Sequence, residues 1–406
     1  MPRIKPFRGV YPRQDIAEKL IVDAEDVTIE DAKRIRDRNP VSFVHMLVPK
    51  LQKASGVKSK TEIAYQAINE NFLDFLEKRY LLKDEKPCLY VYQVETRDWI
   101  HQGLWAVTSV DDYLSGKLKK HEFTLPQREE KLIEYLNFSG IDANPVLLIY
   151  PHQARIKQIL GKTVAGNPFL NFSSDQSIHK LWKIDEEQIL EELISLIEGL
   201  KNVYIADGHH RVAAASKYAL SQRSGQKRTD EEYNYFSSVY MATDEVKIFE
   251  YNRFLKDLGG LSPESFLLKP QSDFTIRTLP EKSSIKPQKL HEFGMYLAER
   301  SYRISLKQER GPEELDVSIL EELILKPILN ILDSRNDARV NYLSGEMTDE
   351  EIMRTVDDGE YAVAFTVFPV SVEQLTKFID RGGIMPPKST RFEPKFKLGL
   401  LIHLLK

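Results

Sequence analysis

Five consecutive residues, Asp207, Gly208, His209, His210 and Arg211, bring a carboxylate, two imidazoles and a fixed cation to one glycine-marked turn. Val203, Tyr204 and Ile205 precede it as a short strand. An alanine-rich run follows as a helix, with Val212, Ala215 and Ala219 on one face. Such a strand-turn-helix junction gathers free backbone N–H groups and the positive end of a helix dipole, which suits anions and phosphates. Gly208 lets the backbone come close to a ligand. The blander alternative is an aspartate cap on a buried helix, with both histidines hydrogen-bonded and idle.

Two other stretches carry reactive side chains. Lys119, Lys120, His121 and Glu122 lie together ahead of Pro126. They read either as a solvated helix end or as a carboxylate, Glu122, in a cationic setting suited to phosphate chemistry. Lys388, Ser389, Thr390, Arg391 and Lys395 follow two prolines, as a surface loop or a phosphate-binding one. His45 sits among apolar neighbours as a core histidine. A zinc site is disfavoured. His209 and His210 splay apart on a helix, and His121-Glu122 has no histidine at position 125. No P-loop of the G-x-x-x-x-G-K-[ST] type is present.

The elements that must position these residues read as mixed α/β. Residues 41–49 are expected as a strand or extended segment. Ser59 and Glu62 have capping-box spacing before a helix to about Tyr80, with Ile68, Phe72, Phe75 and Leu76 at helical spacing. Residues 88–94 and 103–110 read as a hairpin, and 145–150 and 178–184 as strands. Asp185 is the expected cap of a helix whose apolar stripe is Ile189, Leu193, Ile194, Ile197 and Leu200. Residues 236–243 and 246–254 read as a second hairpin. A boundary follows at 255–266, giving domains 1–255 and 256–406. The second carries strands at FTIRTL, YRISLK and YAVAFTVFP, helical segments around Pro327 and at SVEQLTKFID, and a closing strand in LGLLIHLL.

Composition sets outer limits. Hydrophobic residues make up 42% and charged residues 29% of 406, as in an ordinary globular protein. The net charge of −4 argues against a dedicated nucleic-acid binder. The single cysteine, Cys88, excludes an internal disulfide and reads as a half-buried strand residue. The first residues hold no apolar h-region and no run reaches a membrane span, so the expectation is a cytoplasmic protein without membrane contact. Oligomeric state is not legible.

Six stretches, KPFRGVYP (5–12), NPVSFVHM (39–46), KKHEFT (119–124), YIADGHHR (204–211), YNR (251–253) and MPPKSTRFEPK (385–395), occur in an ordered set. In that set the chain resembles a large bacterial and archaeal family, catalogued as a domain of unknown function, that carries an Asp-Gly-His-His-Arg box. More distantly it resembles the ParB/sulfiredoxin-like free L-serine kinases. The resemblance implies a ParB/sulfiredoxin-like nucleotide- or phosphate-binding core with a second α/β domain. It implies phosphoryl transfer to the hydroxyl of free L-serine, from ATP, ADP or pyrophosphate and with Mg²⁺. Carried onto this chain, Asp207, Gly208 and Arg211 bind phosphate, with Asp207 also toward the metal. His209 and His210 donate to the transferring group, and Glu122 is the base. Lys388, Ser389 and Lys395 complete the phosphate site from the second domain, and His121 and Arg253 contact substrate. The chain departs from the family pattern at Phe123, Val212 and Arg391, which puts substrate contacts in doubt and leaves the polar groups intact. Two alternatives stay open: a phosphoserine or nucleotide phosphohydrolase, and a non-catalytic ParB-like nucleotide-binding regulator.

Overall fold

The structure is a computed structural model that describes residues 2–23, 28–48, 60–174, 177–223, 230–281, 283–311, 313–334, 336–386 and 388–406. It is a mixed α/β architecture in two compact units. The first is Met1–Val246 together with Pro394–Lys406, and the second is Lys247–Glu393. The sequence suggested one boundary near 255, with everything beyond it in the second domain. The chain instead leaves the first unit at Val246 and returns to it at Pro394. In the returning segment, Lys397–Leu398 pairs antiparallel with Val22–Asp23, and His403–Leu404 with Ile141–Asp142. Ile402 bridges Val10. These partners are hundreds of residues away, so no local pattern announces them.

The first unit is built on a nine-stranded sheet. Its strands are β1 (Ile4–Lys5), β2 (Leu89–Glu95), β3 (Ile100–Ser109), β4 (Leu118–Lys119), β5 (Val146–Tyr150), β6 (Leu170–Ser174), β7 (Ser177–Ile184), β8 (Val203–Asp207) and β9 (Tyr235–Ala242). The order is β6-β7-β2-β3-β9-β5-β8-β4, with β1 pairing β3. Only β9–β5 and β8–β4 are parallel pairs. The expected hairpin of β2 and β3 forms, with Tyr90 opposite Trp105. Cys88, expected in a strand, lies just ahead of β2 as a buried bridge partner of Phe7, and burial pushes its thiol up to about 11. The expected hairpin across 236–254 does not form. Strand β9 is claimed by β3 and β5, Lys247–Phe249 pairs with Arg391–Glu393, and Tyr251–Leu255 enters the second unit's sheet.

Five helices matter to the first unit: α1 (Lys60–Glu77), α2 (Pro126–Ser139), α3 (Ala154–Val164), α4 (Glu187–Glu198) and α5 (His209–Gln222). One core cluster joins the sheet to the helices through Leu104, Leu148, Ile159, Leu193, Ile205 and Val212. Burying each such aliphatic side chain contributes roughly 1.5–3 kcal/mol before entropy is charged against it. A second cluster joins Val10, Phe43, Ile68, Phe72 and Ile402. The described part of 41–49, residues 41–48, is not a strand: Phe43–Met46 is a 3₁₀ turn started by the Ser42 side chain, and His45 is satisfied by the Asn39 carbonyl at 3.0 Å. Ser59 of the expected capping box lies outside the described residues, and the side chain of its partner Glu62 is not described either. Asp185 is not a cap, because Glu186 holds that position, without a side-chain bond. Pro126 opens α2 rather than closing a helix, since proline's fixed φ suits a first helical turn.

The second unit is a six-stranded antiparallel sheet of β10 (Tyr251–Leu255), β11 (Phe274–Thr278), β12 (Glu292–Leu297), β13 (Arg300–Leu306), β14 (Val340–Ser344) and β15 (Val363–Val367), in the order β11-β13-β12-β15-β10-β14. Helices α6 (Asp349–Asp357) and α7 (Val372–Asp380) each begin with a complete capping box, Thr348 with Glu351 and Ser371 with Gln374. Ser262 caps the short helix begun by Pro263, as the sequence predicts. Among the described residues no helix is long and apolar enough to cross a membrane.

Candidate active site

The junction of β8 and α5 is the turn read from the sequence. Strand β8 is buried from Val203 to Ala206 and ends at Asp207. Gly208 then adopts φ +98°, a left-handed conformation that favours glycine, and α5 starts at His209. Val212, Ala215 and Ala219 are buried, which fixes the helix against the sheet. Gly208 at the N-cap has no side chain to cap the helix, and the Asp207 carboxylate takes the Gly208 N–H, ahead of the first-turn N–H groups that begin at His209. They lie at the positive end of a helix of 14 residues.

Asp207 is held by two cations. Arg211 Nη2 stands 3.2 Å and Lys395 Nζ 3.4 Å from the same carboxylate oxygen. Burial works to raise this carboxyl, but Arg211, Lys395 and His209 outweigh it and hold it well below the usual carboxylate range. The Arg211 guanidinium folds back beneath the turn. A Cβ on Gly208 would meet Arg211 Nε at 2.9 Å. Its Nη1 donates to the Pro145 carbonyl at 2.7 Å and to Asn144 Oδ1. Arg211 therefore frames the turn as well as charging it. Lys395 was expected to come from the second domain, and it belongs instead to the segment that returns to the first unit.

The KKHE stretch lies beside the turn because β4 pairs in parallel with β8, Leu118 opposite Val203 and Lys119 opposite Tyr204. Lys119 is anchored at 2.9 Å on Asn202 Oδ1. His121 is 2% exposed and His209 5%, and their rings meet edge to face at 4.6 Å. Burial pushes His121 down to about 4, against the pull of Asp207 and of the Ile205 carbonyl. Burial also holds His209 well below its ordinary value, and His121 reinforces that. Both imidazoles are therefore neutral at pH 7. Glu122, 37% exposed, places a carboxylate oxygen 3.9 Å from His209 Nδ1. His209 Nε2 is buried and has no hydrogen-bond partner among the described residues. His210 points elsewhere: its Nδ1 accepts from the Leu125 N–H at 3.3 Å, just ahead of α2, and burial lowers its pKa.

The remaining expected residues lie in the second unit. Lys388 is exposed at φ +48°, with Nζ 5.4 Å from the Tyr251 ring centroid. Ser389 is 4% exposed, and its hydroxyl donates to the Pro386 carbonyl at 2.7 Å. Arg253, expected as a substrate contact, is 1% exposed. It donates to the Tyr251 carbonyl and stacks 5.5 Å from the Tyr342 ring centroid, as a buried structural arginine does. Asn144 and Pro145 were missed as site residues. Their only sequence signal was a proline ahead of a strand, which says nothing of an arginine 66 residues on.

Both cations sit on one oxygen of the Asp207 carboxylate, the group expected toward the metal. Among the described residues no group of three His, Cys, Asp or Glu is placed to hold a metal ion. Three groups of polar atoms do converge on the turn: uncapped N–H donors, two cations around Asp207, and a neutral imidazole pair with a carboxylate beside it. That set can bind an anion and accept a proton near it.

Solved structures with similar architecture include a free serine kinase in complex with AMP, at 16% identity and a TM-score of 0.36, covering 72% of this chain and 90% of that one. A C-terminally truncated SbnI from Staphylococcus aureus is similar at 12% identity and a TM-score of 0.40, covering 74% and 87%. A conserved hypothetical protein from Pyrococcus furiosus is similar at 17% identity and a TM-score of 0.37, covering 73% and 94%. No curated protein sequence matches the chain. Residues 4–333 match the family described as "Protein of unknown function (DUF1015)", and the chain belongs to that family.

Proposed function

We propose that the first unit transfers a phosphoryl group from ATP, ADP or pyrophosphate to the hydroxyl of a small amino acid, with free L-serine as the acceptor that the sequence resemblance suggests. The observation that carries this is the Glu122 carboxylate 3.9 Å from a buried neutral His209, beside an uncapped helix N-terminus. Phosphoryl transfer is mostly positioning and charge stabilisation, so an anion cradle and one base are the parts required. In this reading the N–H groups of α5 bind the donor's phosphate oxygens, with Lys395 adding positive charge. His209 donates a hydrogen bond to the transferring group as a neutral imidazole. Glu122, the more exposed of the two, takes the acceptor's hydroxyl proton as the O–P bond forms and the donor's bridging O–P bond breaks. Arg211 acts through position, holding Asp207 and the loop beneath Gly208.

The test is serine-dependent consumption of each donor by the wild type and by Glu122→Gln. Loss of a general base typically costs 10²–10⁴ in rate. Glu122→Gln should lose that much in kcat and keep its affinity for pyrophosphate. A variant with full turnover would remove Glu122 from the mechanism. Release of phosphate at the same rate with and without serine would make the protein a hydrolase.

A further inference from the structure

Behind the turn, a cavity of about 310 Å³ opens between α2, α5, the Ile141–Val146 segment and Leu398. Phe43, Leu136, Phe236 and Leu398 wall it. Ala143 in the 141–146 segment and Ala215 on α5 are the small residues of its lining and leave it room. Its volume sits at the lower end of small-molecule pockets, enough for about a dozen non-hydrogen atoms. The polar side chains of the lining are Lys131, Tyr135, Asp142, Asn144 and Arg211. Asp142 is already engaged, accepting from the Ser237 N–H at 2.8 Å, and burial pushes its carboxyl up. The Asn144 side-chain oxygen is taken by Arg211, which leaves its amide hydrogens as donors. Lys131 is exposed and adds an unburied cation. The cavity thus offers an apolar body site with donors and positive charge for a head group.

We infer that this cavity is a binding site for a small monocarboxylate with a compact apolar or aromatic body, its carboxylate near Lys131 and Asn144. The Asn144 amide donors and the exposed Lys131 ammonium favour an anionic head, since Arg211 is already paired with Asp207 and Asp142 already accepts from a backbone donor. The apolar walls favour a hydrocarbon body over one with many hydrogen-bonding edges, since each polar edge buried there without a partner is penalised. The inference rests on this cavity alone and not on the phosphoryl-transfer reading. Arg211 nevertheless belongs to both places, lining the cavity and pairing with Asp207 at the turn.

The probes are 3-phenylpropionate, its neutral amide, and adenosine, titrated into the full chain by isothermal calorimetry or ligand-observed NMR. For about eleven heavy atoms at ordinary ligand efficiency, 3-phenylpropionate should bind with a Kd of order 1 mM. Ala215→Leu fills the cavity and should abolish that binding. Lys131→Glu, an exposed substitution that leaves the core untouched, should weaken the carboxylate about three- to tenfold and leave the amide unchanged. Three results would overturn the inference: no binding of the carboxylate to the wild type, binding that neither substitution changes, or adenosine binding that Ala215→Leu abolishes while the carboxylate does not bind. None of these readouts uses turnover, so they stand apart from the Glu122 test.

Discussion

Replacing His121 by glutamine should flatten the acid limb of the first unit's stability. His121 is 2% exposed, and burial pushes it from 6.5 down to about 4. Because the folded pKa is the lower one, the unfolded chain binds more protons between those values. The stabilisation is complete above pH 6.5 and is lost as pH falls toward 4. For a shift of this size the loss from His121 alone between pH 7.5 and 5 is about 2 kcal/mol. Asp207 is shifted in the direction expected for a paired carboxylate, and its stabilisation is lost only as pH falls below 3.8, outside this window. Burial, the larger cause of the His209 shift, persists in the variant, so His209 stays neutral across this window in both proteins. All three tryptophans lie in the first unit, and Trp105 and Trp182 are buried. Urea unfolding followed by tryptophan fluorescence therefore reports on that unit. The measurement is the change in unfolding free energy from pH 7.5 to 5, wild type against His121→Gln. The wild type should lose about 2 kcal/mol more than the variant. Parallel profiles would refute the claim that His121 is folded in its neutral form.

Two further substitutions probe the turn itself. Gly208→Ala places a Cβ at φ +98° and 2.9 Å from Arg211 Nε, so the first unit should lose about 1–2 kcal/mol by the same urea assay. Pyrophosphate affinity, read by calorimetry, should fall with it. Lys395→Met removes one of the two cations on Asp207 and should weaken pyrophosphate binding about three- to tenfold. It should also lessen the salt dependence of that binding, and an unchanged salt dependence would remove Lys395 from the anion site.

The strand-turn-helix around Gly208 was legible because each of its signals is local: a β-branched run, a glycine, and a helix with one small apolar face. The same holds for β2 with β3 and for the helix α7. What was not legible depends on partners far along the chain. Residues 246–254 read as half of a hairpin because alternation shows that a strand exists and not which strand it joins. The 3₁₀ turn at Phe43–Met46 was taken for a strand because a short apolar run does not distinguish the two. KKHE was ambiguous as sequence. Only the parallel pairing of β4 with β8 brings Glu122 to His209. Arg253 was singled out through the YNR stretch of the resemblance, yet it is buried and packs on the Tyr342 ring.

The late return of the chain to the first unit has a temporal side. Lys395, one of the two cations on Asp207, follows the whole of Lys247–Glu393 in the order of synthesis. At about 5–20 residues per second, that stretch takes roughly 7–30 s to leave the ribosome. For that interval β8 and α5 are already made, while the Ile141–Asp142 edge and Val10 wait for their partners at residues 402–404. Asp207 then has Arg211 alone. A nascent chain halted before Pro394 carries the turn with half its cationic clamp.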